Sequence, residues 1–437
     1  MYCSRLALSL DKIGFASAIK TSKLFVLLSA CTIFVLRKWI ERMIKKISAL
    51  LLAFLLPMSA LLANDILNDE VGDVTPVTEK VDFGLSRTTY KPSTAPTEDA
   101  TGAPYNSLNL EIGLSRLKLF GYAQSLYYYN RTNGVEKNAL DMQRVILMAD
   151  AQIAKRLSFF LMFDVVKSEM HEYYAQYELA PFAKVRVGQY KQPFTLESIL
   201  SPTYISTINF DPSVLYLAGI ASDPLMGNYV ARDAGVMLTG DFLSNGERHL
   251  FNYSIGIFNG PGMNRKENNS QKDVAGMLQW KPTRNLLLEG SFLAGTGHAQ
   301  APSPYGLFPM GYNYARHRWN VGVEAKFSPF YMRAEYIQGY DGGVHSRGGY
   351  VNMLYRIFRN CDLMLNWDNL DKNTHTGRAE QQAVYDASGF VTRLNTYTAG
   401  LMWWFHQRCR LQGQFIYTKP RVGAISREFV TQLQLVF

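Results

Sequence analysis

Apolar and polar residues alternate with a period of two in sixteen separate runs, near 116–129, 141–153, 156–166, 172–180, 183–191, 232–243, 248–258, 273–281, 285–295, 315–327, 330–339, 347–358, 361–369, 393–405, 409–418 and 427–437. That period belongs to strands whose two faces meet different environments. In the tenth run His317, Trp319, Val321, Val323, Ala325 and Phe327 alternate with Arg316, Arg318, Asn320, Gly322, Glu324 and Lys326. The third run sets Phe159, Leu161, Phe163 and Val165 against Ser158, Phe160, Met162 and Asp164, and the last sets Phe429, Leu433 and Leu435 against Gln432 and Gln434. One face suits hydrocarbon and the other a wet interior. The connections sort in the same alternating way. Those at 154–155, 181–182, 244–247, 282–284, 328–329, 359–360 and 407–408 are tight, whereas 130–140, 192–231, 259–272, 296–314 and 370–392 are long, with 167–171 a short exception. Short turns on one rim and long loops on the other are expected of a membrane barrel, and a soluble sandwich would not sort its loops so. The fold expected is all-β: a 16-stranded antiparallel transmembrane β-barrel over 113–437, both termini on the short-turn side. The competing reading is a soluble barrel with its apolar face inside.

The third long connection, 192–231, stands apart. It carries Pro193, Pro202, Pro212 and Pro224 and shows no clean helical or strand period. Connections longer than about 12–15 residues are uncommon in compact domains and are usually functional or disordered. This one is rich in Ile, Leu, Phe and Tyr, so something should enclose it. From Phe194 to Val230 it holds Glu197, Asp211 and Asp223 and no Lys or Arg.

Composition narrows the class. Of 437 residues 13% are aromatic, mean hydropathy is −0.10, and formal net charge is +9. The charge is misplaced for a polyanion binder. Residues 1–63 contain nine Lys/Arg and two Asp/Glu, which leaves 36 against 34 in the remainder. No nucleic-acid partner is expected. Residues 1–63 read as an N-terminal extension and signal peptide: Met43 to Lys46 is a charged n-region, Ile47 to Leu56 an apolar h-region, and cleavage fits after Ala63. Residues 1–42 are then an upstream translation artefact or a long n-region, and Leu28-Ser29-Ala30-Cys31 offers a rival lipobox. Residues 64–112, acidic and Thr/Pro-rich at Thr94 to Asp99, read as a flexible periplasmic segment.

Other chemistry is sparse. Cys361 and Cys409 begin the thirteenth and fifteenth runs, two strand spacings or about 9.5 Å apart, beyond disulfide reach, so both should be free thiols. The seven histidines show no zinc-type spacing, and Gly342-Gly343 and Gly348-Gly349 lack the Lys-Ser/Thr ending of a phosphate loop. His345-Ser346 lies in a loop mouth, without support for a catalytic triad. Neither enzyme activity nor a metal or cofactor is expected.

Several ordered motifs resemble the phosphate-selective porins O and P. They are Arg186-Val187-Gly188-Gln189-Tyr190-Lys191-Gln192-Pro193-Phe194, Arg232-Asp233-Ala234-Gly235-Val236, and Tyr253 to Gly260 followed by Lys272-Asp273-Val274-Ala275-Gly276. The terminal Phe437 resembles the assembly signal of bacterial outer-membrane proteins. The resemblance implies a homotrimeric porin in the bacterial outer membrane whose third long loop, here 192–231, folds inward to narrow the lumen. It also implies basic residues at the narrowing that hold small anions, phosphate foremost. The family's second strand often carries paired arginines, and here only Arg144 stands at the match. Lys118, Lys191, Arg232, Arg316, Arg318 and Arg333 complete the candidates for anion binding. Against them the expected lumen face carries Asp150, Asp164, Glu172, Glu178, Asp233, Glu289, Glu324 and Glu335, with Arg186, Lys326, Arg356 and Arg410 in rough balance. Arg410 should lie near the short-turn rim. The function expected is passive diffusion of small anions, with a general porin or a surface adhesin or receptor barrel as alternatives. The partners are those anions and outer-membrane lipid.

Overall fold

The computed structural model describes residues 108–112, 115–227, 230–244 and 248–437. The expected N-terminal extension and signal peptide, 1–63, and most of the segment 64–112 expected to be flexible, lie outside these residues. The last part of that segment is a short strand, β1 (Leu108–Ile112), hydrogen-bonded to β2 (Ser115–Thr132).

Every one of the sixteen alternating runs is a strand. After β2 come β3 (Val135–Ala154), β4 (Leu157–Asp164), β5 (Glu169–Ala180), β6 (Ala183–Lys191) and β7 (Arg232–Ser244). Next are β8 (His249–Phe258), β9 (Asp273–Thr283), β10 (Leu286–His298), β11 (Asn313–Phe327) and β12 (Phe330–Asp341). The last five are β13 (Val344–Phe358), β14 (Cys361–Asp371), β15 (Arg393–His406), β16 (Cys409–Pro420) and β17 (Ser426–Val436). Each pairs antiparallel with its neighbours, and β17 closes on β2 from Ser426↔Thr132 to Val436↔Tyr122. Closure leaves no edge whose backbone groups would face lipid unpaired. The terminal residue takes part: Gly121 donates to the Phe437 carbonyl at 2.8 Å and the Phe437 amide donates back at 3.0 Å.

The faces follow the alternation. On β11 Arg316, Arg318 and Asn320 are buried, whereas Trp319 and Val321 are 44% and 51% exposed. Outward aromatics gather towards both rims: Phe327, Phe330, Phe358, Trp403 and Phe405 near the short turns, and Tyr336, Trp367 and Tyr397 towards the long loops. Such a wall, exposed and apolar between two aromatic girdles, calls for a bilayer as its solvent. The interior is less wet than the sequence suggests. Phe120, Tyr122, Met148, Phe160, Met162, Tyr174 and Tyr190 point inward and form one buried cluster with Phe194, Val214 and Leu217 of segment 192–231.

Two connections differ from expectation. Residues 130–140 are not a loop, since β2 and β3 run on to a two-residue turn at Asn133-Gly134, with φ of 51° and 78°. Both central residues lie in the left-handed region, the geometry an Asn-Gly hairpin turn supplies. Within 370–392 lies a helix over Arg378–Ser388. Cys361 and Cys409 are free thiols, as expected.

At the closure, an added Cβ on Gly121 would sit 2.4 Å from the Ile146 carbonyl oxygen and 2.9 Å from the Phe437 ring. Gly121→Leu should therefore destabilise the barrel by about 1–3 kcal/mol, read as a lower urea midpoint in refolding from detergent. An unchanged midpoint would show that the Phe437 ring does not seal this seam.

Candidate pore constriction

A loop that enters a barrel takes its backbone amides and carbonyls out of water, so each needs a partner on the wall. Segment 192–231 finds them far around the ring. It begins at the end of β6, forms α1 (Leu196–Ile199) and α2 (Pro212–Leu217), and returns to β7. Pro212 sits at the start of α2, where its missing N–H costs nothing.

One set of anchors is acidic. Glu335 on β12 accepts from the backbone amides of Leu196 at 2.7 Å and Glu197 at 2.8 Å, the first turn of α1. Tyr350 and Asn320 hold the same carboxylate at 2.6 and 2.9 Å. Asp368 on β14 accepts from the Ser213 amide at 3.0 Å and from its hydroxyl, at the first turn of α2. Each carboxylate thus caps a helix whose leading amides would otherwise be orphaned. The second set is amide-rich. Gln414 accepts from the Ile208 amide at 3.1 Å and donates to the Ser206 carbonyl at 3.0 Å. Gln434 and Gln124 donate to the Thr203 and Pro202 carbonyls, each at 3.4 Å. Arg410 starts near the short-turn rim as expected, yet its guanidinium reaches the Ile205 carbonyl at 2.9 Å. Anchors on β2, β12, β14, β16 and β17 mean that a segment rooted in β6 and β7 crosses the barrel interior.

Between loop and wall lies a buried acidic layer. Glu197, Asp211, Glu289, Glu335 and Asp368 are each no more than 6% exposed, and Asp211 accepts from Asn366 at 3.1 Å. Burial pushes the loop carboxyls of Glu197 and Asp211 above the ordinary carboxylate range, and their acidic neighbours add to it. The segment after β14 packs on the loop from above. Lys372 stands 5.0 Å over the Tyr216 ring and 4.3 Å over Phe390, and burial lowers its pKa to about 8.

The seven candidate cations fall into separate groups. Lys118 is opposite Asp150 towards the short-turn end of β2 and β3. Arg144, Lys191 and Arg232 share one neighbourhood with His171, each acting electrostatically on its ring. Within it Arg232 is paired with Glu172 at 2.9 Å, and Lys191 donates to the Leu200 carbonyl. Arg144 is bonded to neutral amides, donating to Gln124 at 2.7 Å and Gln143 at 3.2 Å, and is half-buried. Across the interior Arg318 pairs with Asp341 at 2.6 Å and donates to the Leu217 carbonyl, and Arg316 lies 3.9 Å from Asp273. Arg333 pairs with Glu324 at 3.0 Å. Four of the seven are therefore held by carboxylates in buried or nearly buried pairs, an arrangement that fixes geometry more than it leaves charge for a solute.

Sequence reasoning missed the capping roles of Glu335 and Asp368 and the loop contacts of Gln124, Gln414 and Gln434. A run of inward glutamines beside a long Lys/Arg-free loop was the available signal. His345 and Ser346 face opposite sides of β13, one exposed and one buried, so no Ser–His relay forms there. Among the described residues no group of three or more metal-ligating side chains comes together.

The fold recurs among solved structures. The outer-membrane channel DcaP of Acinetobacter baumannii superposes with a TM-score of 0.53 at 11% identity, over 75% of this chain and 99% of that one. OmpT of Vibrio cholerae gives 0.53 at 11% over 75% and 100%, and OprB of Pseudomonas putida 0.53 at 11% over 73% and 94%. No protein-family model and no curated protein matches the sequence. The resemblance to phosphate-selective porins thus rests on the motifs alone, while the barrel fold is shared with these structures.

Removing an anionic cap should free the loop. In Glu335→Ala two buried amides lose their acceptor, a loss of about 1.5–3 kcal/mol, and chymotryptic cleavage at the loop aromatics should accelerate roughly tenfold. Trypsin is uninformative between 194 and 230, where there is no Lys or Arg. Cleavage at the wild-type rate would mean that Glu335 does not hold the loop.

Proposed function

We propose that the chain is a passive outer-membrane porin, with segment 192–231 narrowing its lumen and small anions such as phosphate as preferred solutes. The solved structures that share the fold, the outer-membrane channel DcaP among them, support the outer-membrane setting and the diffusion role. One of them, OmpT of Vibrio cholerae, is described in a trimer form, with a TM-score of 0.53 at 12% identity, and a homotrimer is proposed here on that likeness. Anion preference rests on Arg144. It is the candidate whose guanidinium is bonded to neutral amides, beside Lys191, Arg232 and His171. A cation held by neutral acceptors keeps its field, and over the few ångströms of a constriction that field is little screened. Phosphate would be attracted there, exchange part of its hydration for charge-assisted hydrogen bonds and leave down its gradient, with no energy coupling.

A general porin is the second reading, and the carboxylate pairing of Arg232, Arg316, Arg318 and Arg333 favours it. Reversal potentials in a salt gradient across planar bilayers separate the two. The expected result is chloride over potassium, block by millimolar phosphate, and loss of roughly half or more of the preference in Arg144→Gln. Lys118→Gln, near the short-turn rim, should have a smaller effect. Equal permeability with no phosphate block would sink the anion reading, and absence of any channel activity would sink the porin reading itself.

A further inference from the structure

Two histidines that stand 30 positions apart in the chain meet on the long-loop rim. His345 lies at the start of β13, and His375 lies beyond β14 in the segment that leads to the helix over Arg378–Ser388. Backbone contacts bring them together. The Thr374 amide and hydroxyl donate to the His345 carbonyl at 2.8 and 3.2 Å, and the His375 amide donates to the Asn373 side chain at 3.1 Å. The two rings then stand 4.9 Å apart, centroid to centroid, with their planes at 67°. Tyr340 packs beside His345 at 5.0 Å and limits how far its ring can swing. Both histidines are exposed. Among the described residues no hydrogen bond occupies a ring nitrogen of either.

That separation is one a shared metal ion would set. A zinc–imidazole bond of about 2.0–2.1 Å places the ion about 3.2 Å from each ring centre, so these rings would subtend about 100° at the ion. A tetrahedral site asks for about 109°. Neutral imidazole suits zinc, copper and nickel, whereas magnesium and calcium take oxygen. The described residues bring no third histidine, cysteine or carboxylate to the pair. Water would fill the remaining positions, and the site is weaker than a structural one closed by four side chains.

We propose that His345 and His375 together bind one divalent ion of the zinc and copper class, and that the ion fastens the segment after β14 to β13. The chain already holds the two ligands side by side through backbone bonds, so little ordering remains for the ion to impose. Lys372, three residues before His375, is the side chain that stands over Tyr216 of the inner loop. An ion at the pair would therefore stiffen the cover above segment 192–231 from outside the cell. The proposal needs the barrel and its orientation in the outer membrane, and no solute need pass for it to hold.

The test is calorimetric titration of the purified full chain, free of any histidine tag and in detergent, with zinc, copper and magnesium chlorides in turn. Zinc and copper should each bind at one ion per protomer, and magnesium should give no saturable heat. His345→Ala and His375→Ala should each lower the zinc affinity by roughly ten- to a hundredfold. His406→Ala, at the short-turn rim, should titrate as the wild type does. Saturating zinc should also slow chymotryptic cleavage at Tyr385 and Phe390 in the wild type and not in His375→Ala. Wild-type affinity in either histidine variant, or an equal loss in His406→Ala, would overturn the site. Zinc bound at the pair with cleavage unchanged would overturn the fastening. Binding is read here without ion flow, so its failure leaves the porin reading intact, and a chain that binds zinc but forms no channels loses only the porin reading.

Discussion

Hydrogen-bond satisfaction is the constraint on which the rest of this molecule depends. In hydrocarbon every strand must be paired, so the sheet has to close, and β17 meeting β2 with Phe437 bonded to Gly121 is how it does so. The same constraint acts inside. A segment of about forty residues cannot lie in a barrel on apolar contact alone, because its own amides and carbonyls would go unmet. The inner wall therefore carries acceptors where the loop presents helix amides, at Glu335 and Asp368, and donors where it presents carbonyls, at Gln434, Gln124 and Arg410.

This division of labour has a consequence for charge. Carboxylates that cap buried helices need no cation to be useful, so Glu335 and Asp368 are explained without invoking a solute. Basic residues on the wall are largely committed in turn: Arg318 to Asp341 and to a loop carbonyl, Arg333 to Glu324, Arg232 to Glu172. Much of what the sequence offers as a charged lumen is therefore scaffold. Arg144 differs from these in resting on the neutral amides of Gln124 and Gln143.

How far the chain could be read from its sequence follows from the range of each interaction. Strand faces were legible because alternation is local: Phe160 and Met162 fall inside and Phe159 outside, as their positions in the run require. Hairpin 130–140 was misread although Asn133-Gly134 is a strong turn pair, since the polar residues around it hide how far β2 and β3 extend. The site was the harder part. Glu335 acts on backbone amides 138 and 139 positions away, and nothing in its own neighbourhood marks it as a cap rather than a lumen charge. Arg410 likewise belongs to the rim by position and to the loop by reach.

The central claim is that segment 192–231, pinned across the interior, sets the width of the pore. Single-channel conductance of a variant in which residues 200–224 are replaced by a short Gly/Ser linker tests it most directly. The account predicts conductance roughly threefold or more above wild type, with weakened ion preference, in a barrel that still closes. Conductance equal to wild type in that folded barrel would contradict it.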